Sequence, residues 1–104
     1  MAKSKLTPAD EKFIAKFLGE IDFDANKTHK RSNRFSGEEV EVDPISAAAI
    51  DFVYKVENAL QRGNDEALQR INPNLKMSNA VSNFDRARML VLKMNSEAYM
   101  MLLD

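Results

Sequence analysis

The sequence predicts a small all-α domain, a bundle of four to five helices with a long polar loop after the first and room for one short strand or hairpin near Val40. Three observations carry this: apolar residues recur at helical spacing through most of the chain, capping residues, prolines and glycines punctuate it, and only 39–43 alternates with the period of a strand. The 104 residues (11.8 kDa) suit one domain over 1–104, and 44% hydrophobic residues are enough for a core.

Residues 1–5 are small and basic and read as a frayed start. Thr7, Pro8 and Asp10 resemble a capped helix start, after which Phe13, Ile14, Phe17, Leu18 and Ile21 form an apolar stripe opposite Glu11, Lys12 and Glu20. From 22 to 38 the pattern dissolves into a polar, turn-rich loop that concentrates Lys27, Lys30, Arg31 and Arg34. Glu39, Val40, Glu41, Val42 and Asp43 then alternate. One strand cannot satisfy its own amides, so its partner is expected in the preceding loop around 33–35, or in a second copy of the chain.

The clearest helix is 43–63, around which the rest is organised. Asp43 caps it, Pro44 suits the first position and Gly63 can close it with left-handed geometry, while Ile45, Ala48, Ala49, Phe52, Val53, Val56, Ala59 and Leu60 share one side. Asn64 or Asp65 caps a shorter helix through Ile71, with Ala67, Leu68 and Ile71 inward, and Pro73 stops it. Residues 75–82 read as a connector with Leu75 and Met77 buried. Ser82 or Asn83 then starts a helix with Phe84, Ala87, Leu90, Val91 and Met94 on one narrow side. Asn95 and Ser96 break it, and 97–103 forms a last short helix.

Composition excludes several function classes. A net charge of -1 argues against a basic nucleic-acid coat, although residues 1–35 carry +3 and 36–104 carry -4. The absence of cysteine removes disulfides, thiolate ligands and thiol nucleophiles, and points to a reducing compartment, the cytoplasm, of a host cell if the chain is viral. No stretch has the roughly 18 apolar residues of a membrane span. Asp22, Asp24 and Asn26 imitate the opening of a calcium loop, but Lys27 and Asn33 stand where it needs glycine and glutamate. His29 is the only histidine, no motif presents Ser32 or Ser36 as a nucleophile, and Glu39, Glu41 and Asp43 read as the wet side of a strand. No catalytic, cofactor-binding or metal site and no small-molecule substrate is therefore expected.

Two contact surfaces remain. Ile50 and Tyr54 stand one turn apart, away from the main stripe of the central helix. Met89 and Leu92 project among charged neighbours, and the segment from Tyr99 through Met100 to Leu103 is apolar on every side. Ile50, Tyr54, Met89, Leu92, Tyr99 and Met100 are thus the expected interaction surface of a non-enzymatic structural or protein–protein interaction protein, with a protein partner or a homo-oligomer. The alternative is a nucleic-acid-binding accessory protein using Lys27, Lys30, Arg31, Arg34 and Phe35, where cations would meet phosphates and the ring would stack on a base. In its general look, short and cysteine-free with a charged N-terminus, the chain resembles small accessory proteins of bacteriophages, a likeness that transfers no residue roles.

Overall fold

The computed structural model describes residues 6–19, 21 and 27–103. Residues 1–5 and the 22–26 stretch weighed for calcium lie outside the described residues. About two-thirds of the described residues are helical, in five α-helices and a π-helical segment, and a two-stranded antiparallel sheet joins them. No described helix is long and apolar enough to cross a membrane.

Helix α1 spans Pro8–Phe13 behind a reciprocal cap: Thr7 Oγ accepts from the Asp10 amide, and the Asp10 carboxylate accepts from the Thr7 amide. Ile14–Leu18 continues as a wider π-helical turn, which Gly19 closes by donating its N–H to the Ile14 carbonyl at 2.9 Å. The expected single helix through Ile21 is thus shorter and of two kinds. Phe13 and Phe17 both pack on Phe52 of the central helix, with ring centroids 5.7 and 5.9 Å away.

Within the expected 22–38 loop lies a strand, β1 (His29–Ser32), which pairs antiparallel with β2 (Glu39–Val42). The preceding loop is thus the partner, as expected, but through His29–Ser32 rather than 33–35: Asn33, whose N–H donates to the Glu38 carbonyl at 2.7 Å, opens the turn that carries Phe35. The Asn33 side chain builds that turn, its Oδ1 accepting from the amides of Phe35 and Ser36 at 2.7 and 2.9 Å. Residues opposite one another share a face of the sheet, so His29 and Arg31 face the same way as Val42 and Val40, while Lys30 lies opposite Glu41 on the other face.

Helix α2 (Pro44–Arg62) has the ends its sequence predicts. The Asp43 carboxylate accepts from the Ser46 amide, and Gly63 adopts φ 72°. Helix α3 (Asp65–Ile71) is capped by Asn64 and buries Leu68. Helix α4 (Met77–Met94) begins well before the expected Ser82, consuming most of the expected connector. Its start is held both locally and from outside the helix: the Lys76 amide donates to the Asn79 side chain within the first turn, while the Met77 amide donates to Asp65 and the Asn79 amide group to the Asn74 carbonyl. Leu75 is buried as expected, whereas Met77 is exposed. Helix α5 (Ser96–Leu102) is capped by Asn95 and packs on α4 and β2.

The core lies chiefly between α2 and α4, where Ile50, Val53, Val56, Leu90 and Val91 are all buried, with Leu68, Leu75 and Val42 closing its edges.

Candidate interaction surface

Helix α4 is amphipathic in an unusual way. Ala80, Ala87, Leu90, Val91 and Met94 turn inward, but the outward side is not uniformly polar. Val81 is 59% exposed, Met89 48% and Leu92 38%. Winding at 3.6 residues per turn places Val81, Asp85, Arg88 and Leu92 within an arc of about 60°, with Met89 on one flank and Met77 and Phe84 on the other. Asp85 and Arg88 form a single long contact of 3.5 Å in the middle of this row. The Arg88 guanidinium lies 5.7 Å from the ring centres of both Phe84 and Tyr99 and donates to the Tyr99 hydroxyl at 2.9 Å, so α5 holds it in place.

The expected contact residues divide between surface and interior. Met89, Leu92 and, on α5, Met100 are exposed, and Tyr99 is half-buried beneath Arg88. Ile50 is fully enclosed within the single chain and belongs to the core rather than to an outer face. Tyr54 is half-buried, with its hydroxyl 3.1 Å from the Ser32 carbonyl and 3.3 Å from the Leu102 carbonyl, where it bridges β1 and α5. Burial, aided by Glu57 and Asp51, raises its phenol above the ordinary tyrosine range against the pull of Arg34 and keeps it a neutral donor. The hairpin and α5 therefore consume the second apolar face of α2. Val81 is the exposed aliphatic that sequence reasoning missed, since its position read as connector.

The basic segment is mostly folded back on the protein. Arg31 binds both carboxylate oxygens of Asp51, and its third nitrogen donates to the Lys30 carbonyl. Arg34 pairs with Glu57 at 2.7 Å and lies between the rings of Phe35 and Tyr54, at 4.9 and 5.0 Å. The acids that meet these arginines sit on α2, a long way down the chain. Lys27 and Lys30 are exposed, and Phe35 stands 84% exposed at the turn.

Along its other edge α4 meets α1. Lys93 bonds the Asp10 carboxylate, and Asp10, Asp85, Met89 and Lys93 line a groove of about 310 Å³. An adjoining groove of about 350 Å³ is edged by Lys12, Lys16 and Arg86 over Phe13 and Phe17. Burial would raise the Asp10 carboxyl, but the Lys93 ammonium and the Thr7 donors outweigh it and hold it below the ordinary aspartate range.

Compared with known proteins, the chain matches no family model, no curated protein and no solved structure.

Proposed function

We propose that the protein is a non-enzymatic interaction protein that docks a protein partner through the outer face of α4, with Val81, Met89 and Leu92 as its anchors. The observation that carries this reading is the exposure of Val81, Met89 and Leu92 on the outer side of α4, in a chain whose core between α2 and α4 is already closed. Single exposed aliphatics are commonplace, but several gathered on one side of a helix are what it presents to a neighbour. Methionine on its flank suits adaptable contact.

The test is the mass of the natively purified protein by light scattering. A complex above 11.8 kDa is expected, reduced to the bare chain by Val81→Glu or Leu92→Glu while the helical circular dichroism is kept. A lone chain of wild-type protein, unchanged by either substitution, would overturn the reading.

A second reading, single-stranded nucleic-acid binding at the hairpin, is favoured by one observation, the exposed Phe35 ring beside the Arg34 guanidinium. It predicts binding that weakens steeply with salt and is lost in Phe35→Ala; binding to oligonucleotides that Phe35→Ala leaves intact would dispose of it.

A further inference from the structure

We infer that the partner of the α4 face is a second copy of this chain, bound antiparallel about a two-fold axis passing beside α4 between residues 86 and 87. The inference rests on the docking reading above and adds the identity of the occupant.

The order of residues along the outward row of α4 carries it. Val81, Asp85, Arg88 and Leu92 are spaced by four, three and four positions, the spacing of the seam between two packed helices. That spacing reads the same in both directions. In an antiparallel pair centred between 86 and 87, a position and its facing partner have numbers that add to 173. Val81 therefore faces Leu92 of the other copy, and Asp85 faces Arg88 of the other copy, each pairing occurring twice as two-fold symmetry requires. Apolar ends meet apolar ends, and acid meets base at the centre. A parallel pairing would instead set Asp85 against Asp85 and Arg88 against Arg88, which like-charge repulsion disfavours.

The side chains are already arranged for this. Asp85 is largely exposed and, among the described residues, makes only the long 3.5 Å contact with Arg88, so its carboxylate has capacity for a second guanidinium. Arg88 is held upright by Phe84 and Tyr99, which lowers the entropy lost when it binds. The two-fold operation leaves each flank on its own side, so the Met89 side chains of both copies line one flank of the pair and the Phe84 side chains the other. One helix face per copy falls at the small end of stable interfaces, about 1,000 Å² in total, so the dimer should dissociate on dilution.

The experiment exchanges the central charges. Asp85→Arg alone places arginine against arginine, and Arg88→Asp alone places aspartate against aspartate, so each should weaken self-association by about tenfold or more in sedimentation equilibrium. An equimolar mixture of the two variants restores both acid–base pairings between unlike chains and should dimerise, as should the doubly exchanged Asp85→Arg/Arg88→Asp chain. Circular dichroism confirms that each variant is folded before its mass is read.

Recovery in the mixture supports the antiparallel register. A wild-type chain that stays at 11.8 kDa at high concentration overturns the second-copy inference and leaves the docking reading to the native complex. A dimer broken by Leu92→Glu but indifferent to both charge changes also overturns it, because α4 then docks in some other register. A dimer indifferent to all of these substitutions overturns the inference and the docking reading together.

Discussion

Arg31 on β1 grips Asp51 on α2 through two parallel hydrogen bonds, Nε to Oδ1 at 2.8 Å and Nη2 to Oδ2 at 2.9 Å. The pairing follows from strand register: Arg31 lies opposite Val40 on one face of the hairpin, so a cation that reads as loop decoration in the sequence is delivered to a helix twenty residues away. Because the pair is only partly shielded from water, Arg31→Ala should cost about 1 kcal/mol. In a domain of this size that lowers the melting temperature by roughly 4–8 °C. A double-mutant cycle with Asp51→Asn measures the coupling, and strictly additive losses would show that the two residues act independently.

The turn that carries Arg34 and Phe35 is tied to the far end of the chain by Asn33, whose amide nitrogen donates to the Met101 carbonyl at 2.6 Å while its oxygen accepts two turn amides. Asn33→Asp keeps the acceptor and removes the donor, so it should cost about 1–2 kcal/mol through the lost tie to α5. Asn33→Ala should cost more. Urea unfolding ranks the two, and equal losses would mean that the turn bonds contribute nothing.

Ser46 is fully buried near the start of α2, and its hydroxyl has no hydrogen-bond partner among the described residues. An orphaned buried hydroxyl destabilises, and alanine is the better helix former, so Ser46→Ala should raise stability by about 0.5–1 kcal/mol. The readout is the urea midpoint at unchanged slope. A lower midpoint would show that the hydroxyl is satisfied in solution.

Asp10 links α1 to α4 through Lys93. Its carboxyl is held below its ordinary value of 3.8, so the unfolded chain takes up the proton first as the solution is acidified. The stability it contributes is therefore complete above that value and is lost as pH falls below it toward the depressed folded-state value. Asp10→Asn should weaken the protein at pH 7, and the gap from wild type should narrow below about pH 4. A gap of constant size from pH 7 to pH 3 would remove the ion pair from the account.

The helices were largely legible in the sequence. Asp43 with Pro44 and Gly63, Asn64, and Asn95 mark ends that depend on bonds within three or four residues, and such bonds form alike in a peptide and in a fold. The start of α4 was not, because the Asp65 carboxylate that secures Met77 comes from twelve residues away. Strand β1 was hidden for a related reason, since the side chains it shares with Val40 and Val42 are Arg31 and His29, and no apolar alternation betrays it.

The residues expected to make contacts show the same division. Periodicity alone placed Met89 and Leu92 off the buried stripe of α4, where they are exposed. It also placed Ile50 off the stripe of α2, where the chain encloses it. Helical angle is set by the backbone of one segment and can be read from that segment. Whether a given angle meets water or another element depends on where the hairpin and α5 come to rest, and only long-range packing decides that.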